Sequence, residues 1–180
     1  MKNGIIKKTM ICLSLSIILI ISIYNIASAA FLSYGWPTAT VSFSLSVTNT
    51  TWRTPMNAAI SSWNSAGAKV SFLDQTTSAN AAYAIPLATT SYGIMTPLSV
   101  SGSVLNKFKI ELNTTAISND AINLSNFTQS VFVHELGHTV WLDDNPTLLP
   151  GQTSIMDYFR PRNTMITPQS LDINNVRSKY

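Results

Sequence analysis

Two histidines and a glutamate lie together in the last third of this 180-residue chain. His134 and His138 are four residues apart and are the only histidines in the sequence, and Glu135 follows the first of them. On a helix this spacing places both imidazoles on one face, one turn apart. There they can bind a single zinc ion with nitrogens about 2.0–2.1 Å from it. The stretch therefore predicts a zinc site.

Glu135 has a different place in the same chemistry. It projects about 100° round the helix from His134, where it would contact a water ligand of the ion rather than the ion itself. Zinc lowers the pKa of such a water to about 7. Glu135 would accept its proton, the hydroxide would attack a peptide carbonyl group, and Glu135 would return the proton to the leaving amine. This predicts a zinc-dependent endopeptidase with Zn²⁺ as its cofactor and Glu135 as general base.

The alternative for the motif is a chance match. At ordinary His and Glu frequencies, a His-Glu-x-x-His pattern arises in roughly one chain of this length in two hundred. The histidines would then be satisfied side chains on a surface helix.

The motif and the sequence after it resemble the metzincin clan of zinc endopeptidases. Metzincins extend the motif to H-E-x-x-H-x-x-G-x-x-H/D and carry a turn with Met beneath the metal. Asp144 occupies the third-ligand position, ten residues after His134, as in snapalysin-type secreted bacterial proteases. Ser154-Ile155-Met156-Asp157-Tyr158 is similar to the Met-turn of astacins and serralysins. The resemblance implies that His134, His138 and Asp144 bind the zinc ion.

The resemblance also implies roles for two residues of this turn. Met156 would form an apolar floor under the metal, although methionine commonly fills gaps in any core. Tyr158 would reach the zinc or hydrogen-bond the developing oxyanion, or it is an ordinary aromatic side chain. The early strand and helix with Trp63-Asn64, and the final segment from Thr167, are similar to matrixin catalytic domains.

Trp141 departs from the clan's pattern, because metzincins have glycine at this position. If the turn out of the helix needs a positive φ, tryptophan would be strained there. Either the turn is made differently or the third ligand shifts. Asp143 is the competing carboxylate, and spacing favours Asp144. Glu111 is more readily interpreted as a strand-surface charge than as a catalytic group.

Hydrophobic periodicity predicts the elements that must position these residues. Strands are expected at residues 38–47, 70–72, 81–87, 92–100 and 108–112, and at least one of the two that prolines interrupt should lie on a sheet edge. One helix should begin at Thr54-Pro55 and end near Gly67. The motif helix should run from about Ser125 to Leu142, and a last helix should begin at Thr167-Pro168.

These elements predict one α+β domain. By the resemblance it is a metzincin-like zincin catalytic domain, with a mixed twisted sheet packed on an active-site helix and a C-terminal helix. The helix should direct Phe127, His134, His138 and Trp141 into a cleft and pack its opposite face on the sheet. The fold analogy places an extended substrate along the edge strand within residues 92–101.

The first 29 residues have the pattern of a secretory signal peptide. Residues 1–8 contain three lysines, an apolar run covers residues 10–26, and Ala27-Ser28-Ala29 is a small-residue cleavage site. We therefore expect cleavage after Ala29 and secretion of a catalytic domain of residues 30–180. The alternative is an uncleaved membrane anchor, because the run is nearly long enough to span a bilayer.

Removal of the signal peptide changes the charge balance. Three of the eleven Lys and Arg residues lie in it, which leaves eight against eight Asp and Glu. No basic stripe remains that would indicate nucleic-acid binding. The expected partner is a protein or peptide substrate, with no membrane contact after signal cleavage and a monomeric state. Two other functions stay open: an exported metzincin-fold binding protein with weak or no activity, and a toxin-like factor with one narrow cleavage.

Overall fold

The structure, a computed structural model, describes residues 30–180. The expected signal peptide, residues 1–29, lies outside the described residues. Five strands and four helices follow one another along the described part: β1 Thr40–Leu45, α1 Thr50–Ser65, β2 Ser71–Asp74, β3 Ala81–Ile85, β4 Gly93–Ser101, β5 Val104–Asn113, α2 Thr114–Asp120, α3 Leu124–Thr139 and α4 Ser170–Arg177. Within residues 30–180, no helix combines the length and apolar character needed to cross a membrane.

The five strands form one mixed sheet in the order β2-β1-β3-β5-β4. β1 is parallel to β2 and to β3, and β3 is parallel to β5. β4 is antiparallel to β5 and forms one edge of the sheet. This edge strand contains Pro97, whose missing N–H is tolerated where no further strand pairs. The α+β class and the prediction that a proline-interrupted strand lies on an edge are confirmed.

One hydrophobic core joins the sheet to the helices. Phe43 of β1 meets Phe132 of α3 with ring centroids 6.0 Å apart, and Trp63 of α1 lies 6.1 Å from Phe72 of β2. The buried Nε1 of Trp63 donates a hydrogen bond of 2.9 Å to the backbone carbonyl of Val133 in α3. Helix α3 is therefore held against both the sheet and α1, which fixes the position of the two histidines that it carries.

Two predicted helix starts were wrong. α1 begins at Thr50 rather than at Thr54-Pro55, because the Asn49 side chain accepts a hydrogen bond of 2.9 Å from the Thr51 backbone and caps the helix earlier. α4 begins at Ser170 rather than at Thr167-Pro168. Its start is fixed by Asp172, which accepts a hydrogen bond of 2.8 Å from the Gln169 backbone.

Two further differences concern the region around the motif. Helix α2 was not predicted; it starts where the Asn113 side chain, at the end of β5, accepts from the Ala116 backbone at 3.3 Å. α3 ends at Thr139, three residues before the predicted Leu142. The segment from residue 140 onward is therefore free to turn back towards the histidines.

Candidate metal centre

The motif lies on a helix that is buried on almost every side. The Asn123 side chain caps α3 by accepting from the Asn126 backbone at 3.0 Å. His134 is 8% exposed and Glu135 is 4% exposed. Both histidines line a cleft, as the helix periodicity predicted, and β4 and the segment after α3 form its other walls. Trp141 does not share the histidine face, since the helix ends before it.

Three side chains converge at the C-terminal half of α3. The Oδ1 of Asp144 lies 3.1 Å from Nε2 of His134 and 3.7 Å from Nε2 of His138. One ligand atom from each of the three residues falls within 4.8 Å of the others. These distances allow a single ion to contact all three atoms. The structure thus brings together His134, His138 and Asp144, the residues for which the sequence predicts metal binding.

Backbone carbonyl groups orient both imidazoles. Nδ1 of His134 is 3.0 Å from the carbonyl oxygen of Ile155, and Nδ1 of His138 is 2.9 Å from that of Leu142. A carbonyl oxygen can only accept, so each Nδ1 carries the hydrogen and donates it. In the neutral ring, Nε2 then presents a lone pair. Both lone pairs face Asp144. The hydrogen bonds from the two Nδ1 atoms to backbone carbonyls are typical of metal-binding histidines.

Burial and neighbouring groups shift the pKa of two members of this cluster. Burial lowers the pKa of His134 to about 4, so its ring is neutral at pH 7. Partial burial would raise the pKa of Asp144, but its contact with the His134 side chain and the nearby positive charge of Arg160 outweigh the effect of burial and lower that pKa. With both rings in the neutral form, two nitrogen lone pairs and a carboxylate point at one place. This donor set fits a cation, and its composition of two imidazoles and one carboxylate suits zinc.

The turn after α3 adopts the conformation for which glycine is usual. Trp141 has φ 79°, and Leu142 donates from its backbone nitrogen to the carbonyl of Gly137 at 3.1 Å. The turn is therefore not made differently, since its backbone is left-handed. The third carboxylate does not shift either, since Asp144 still reaches the histidines. The backbone of Leu32 donates to the carbonyl of Trp141 at 2.8 Å and helps to hold this conformation.

Asp143 has a different contact from Asp144. Its Oδ1 accepts a hydrogen bond of 2.8 Å from the Asp144 backbone, and its own backbone nitrogen donates to the carbonyl of Ala30 at 3.0 Å. The cluster of potential ligand atoms includes Asp144 and not Asp143. Of the two carboxylates that the sequence left open, the geometry favours Asp144.

Met156 is buried beneath the helix. A Cβ placed on Gly137 would lie 2.7 Å from its Sδ atom. Gly137, the residue between Leu136 and His138, therefore allows the Met156 side chain to approach the helix at the level of the histidines. This placement agrees with the expected apolar floor, and the requirement for glycine at position 137 was missed in the sequence.

Glu135 faces the edge strand. A Cβ on Gly93 would lie 2.6 Å from its Oε1. Burial raises the pKa of Glu135, although the neighbouring His138, Arg160 and Met95 backbone act against the shift. Gly93 was not singled out from the sequence. Its function is evident only once β4 is seen to pass over α3.

The cleft above the cluster is walled by β4, α3 and the segment after the Met-turn. Tyr158 lines it with a side chain that is 56% exposed. Arg160 and Arg162 also line it, and neither was predicted as a site residue. Glu111 lies elsewhere and pairs with Lys109 at 2.7 Å, in keeping with a strand-surface charge.

The comparisons with known proteins bear on the fold alone. No model of a known protein family matches the chain, and no curated protein matches it. One similar solved structure is a chain described as "GM1 bound form of the ECX AB5 holotoxin". It has a TM-score of 0.57 and 11% sequence identity, over 84% of this chain and 86% of that chain. The two chains share a fold over most of their lengths.

Proposed function

We propose that this protein is a secreted zinc-dependent endopeptidase of the metzincin type. The observation that carries the proposal is the convergence of Nε2 of His134, Nε2 of His138 and Oδ1 of Asp144, with both Nδ1 atoms bonded to backbone carbonyls. The Met156 floor under α3 and the left-handed turn at Trp141 support the metzincin assignment. Secretion rests on the signal-peptide pattern of residues 1–29.

The residues divide the work of hydrolysis between them. His134, His138 and Asp144 would hold the ion. When bound, zinc supplies a Lewis acid that lowers the pKa of a coordinated water and polarises a carbonyl group. Glu135 accepts the proton of the attacking water and delivers it to the leaving amine nitrogen. The raised pKa of Glu135 brings this carboxylate closer to the neutral range in which a general base is most effective.

The edge strand supports a peptide as substrate. Within the described residues β4 pairs on one side only, and its residues Gly93, Ile94 and Met95 line the cleft. An extended peptide can add to such an edge through main-chain hydrogen bonds, which do not depend on the identity of its side chains. This mode of binding would lay the peptide bond across Glu135. It favours cleavage within a chain over attack on a small molecule.

Tyr158 would assist at the carbonyl oxygen. Its exposed ring borders the cleft, and the Asn145 side chain fixes its backbone by accepting from the Tyr158 nitrogen at 2.9 Å. In this proposal the phenol hydroxyl donates to the oxyanion that develops during attack.

The test of the proposed function is a peptidase assay of wild type and Glu135→Gln, each supplied with zinc. The amide keeps the shape of the side chain but cannot accept the proton. We expect kcat/KM to fall by about 10²–10⁴-fold while zinc remains bound. A zinc-loaded wild type that cleaves no peptide would favour the inactive metzincin-fold binding protein instead. Undiminished activity of Glu135→Gln would exclude Glu135 as the base.

A further inference from the structure

Two arginines in the cleft have no part in the proposed hydrolysis. Arg160 is 4% exposed, and Arg162 is partly buried. Both line the same cleft as His134, Glu135 and Asp144. Arginine is seldom buried without a partner, since removing its charge from water is costly. The contacts of these two side chains therefore indicate what they are placed to bind.

Arg160 donates hydrogen bonds to neutral groups alone, although the carboxylates of Glu135, Asp144 and Asp157 are near enough to act on its pKa. Its Nε donates to the Ser130 hydroxyl at 3.3 Å, and its two terminal nitrogens donate to the backbone carbonyls of Asp157 and Ser130 at 3.1 and 3.5 Å. These are long for bonds from a charged donor, which are typically about 2.7–2.9 Å. Within residues 30–180 it forms no ion pair with a carboxylate. The guanidinium group retains unused capacity to bind an anion.

Arg162 is held as a second cation beside it. Its guanidinium carbon lies 5.0 Å from the ring centre of Tyr92 and 5.5 Å from that of Tyr158. One terminal nitrogen donates to the Tyr158 carbonyl at 2.8 Å, whereas the buried Nε has no hydrogen-bond partner. Two aromatic rings thus fix the position of the charge at the cleft wall. It too forms no ion pair among the described residues.

The charge balance of the cleft favours an anionic ligand. Glu135 and Asp144 contribute two negative charges, and Arg160 and Arg162 contribute two positive ones. A bound divalent cation would therefore bring the net charge of the lining to plus two. Burial, and then the neighbouring Arg162, lowers the pKa of Arg160 to about 10, so this side chain remains charged at neutral pH.

We propose that Arg160 and Arg162 form a carboxylate-binding subsite beside the metal cluster, and that the substrate peptide carries a carboxylate next to the bond that is cleaved. This rests on the proposed peptidase function. The planar fork of arginine matches a carboxylate in two parallel hydrogen bonds. Either an Asp or Glu side chain or the free C-terminal carboxylate of a peptide supplies that group.

The test compares matched substrates on matched variants. A random peptide library read by mass spectrometry gives the cleavage sites, and short peptides then carry Glu or Gln beside the bond, each with a free or an amidated C-terminus. We expect the carboxylate to raise kcat/KM by about tenfold to a hundredfold. The Glu–Gln pair isolates the side chain as its source, and the free–amidated pair isolates the terminus.

The variants locate the effect. Arg160→Gln and Arg162→Gln should each remove most of the preference, whereas Arg177→Gln, the same change on the exposed face of α4, should leave it intact. Arg162→Glu should reverse the preference towards a peptide with Lys at that position. Thermal unfolding of each variant identifies any that fail to fold. If Arg160→Gln fails to fold, Arg162→Gln still tests the proposal, because Arg162 is only partly buried. Equal cleavage of all four peptides, or a preference that survives both Arg→Gln changes, would overturn the proposal.

A binding measurement separates this inference from the proposed function. Calorimetry with Glu135→Gln and the same four peptides should give at least about tenfold tighter binding of the carboxylate-bearing ones. A binding preference without any cleavage by wild type would contradict the proposed peptidase function and support the carboxylate-binding subsite. Cleavage without a binding preference would support the peptidase function and contradict the subsite.

Discussion

Trp141 lies in the left-handed backbone region, at φ 79°, where a residue with a side chain is strained by about 1–3 kcal/mol. Its indole ring covers Gly35, where a Cβ would lie 2.5 Å from the ring. The Nζ of Lys179 lies 5.0 Å from the same ring. These contacts, together with the hydrogen bond from Leu32, offset the strain. The turn that delivers Asp144 thus depends on residues from both ends of the described chain.

A methyl group at position 35 tests this dependence. Gly35→Ala should force the Trp141 ring aside and lower the free energy of unfolding by about 1–3 kcal/mol. Urea denaturation measures the loss. The double variant Gly35→Ala with Trp141→Gly is the control, because removing the ring removes the clash. If the two losses simply add, the residues are not coupled and this explanation of the turn fails.

At the scale of elements, Asp172 connects the start of α4 to the Met-turn. This buried carboxylate accepts hydrogen bonds from the Ser154 hydroxyl, from the Ile155 backbone at 2.8 Å and from the Gln169 backbone at 2.8 Å. The carbonyl of Ile155 in turn accepts from Nδ1 of His134. The C-terminal helix therefore helps to orient a candidate metal ligand that lies on another helix.

Removal of this connection should affect stability and the metal together. Asp172→Ala leaves two backbone N–H groups without partners, and we expect a loss of about 3 kcal/mol in unfolding free energy and weaker zinc binding. Asp157→Ala is the matched change, since its side chain accepts only from the Phe159 backbone at 3.0 Å. Denaturation curves and zinc competition assays measure both effects. Equal losses in the two variants would contradict the proposed connection.

What the sequence predicts at this scale depends on how local each signal is. Alternation identified β1 and β5, and Pro97 indicated an edge strand, because these patterns act through neighbouring residues. The start of α1 was misplaced because Asn49 and Thr54-Pro55 are both start signals, and spacing alone does not rank them. The spacing of His134 and His138 predicted that both lie on one helix face for the same local reason. Gly93 and Arg160 have no such pattern, because their partners are fixed only by the tertiary fold.

At the scale of the whole molecule, the candidate site is assembled from parts that are distant in sequence. The edge strand β4 supplies one wall, α3 supplies the histidines and Glu135, and the segment from residue 143 to 162 supplies Asp144 and the two arginines. Residues 30–36 hold the turn between α3 and residues 143–162. The carbonyl of Ala30, for example, accepts a hydrogen bond from the Asp143 backbone at 3.0 Å. Metal binding at such a site should therefore also stabilise the tertiary fold.

The most direct test of the central claim is the zinc content of the purified protein, measured by inductively coupled plasma mass spectrometry after equilibration with zinc. We predict about one ion per chain for wild type. Asp144→Ala should lose most of it, and Asp143→Ala, the adjacent carboxylate, should retain it. If Asp143→Ala alone releases the ion, the assignment of the third ligand is wrong. Wild-type protein that holds no zinc would contradict the account as a whole.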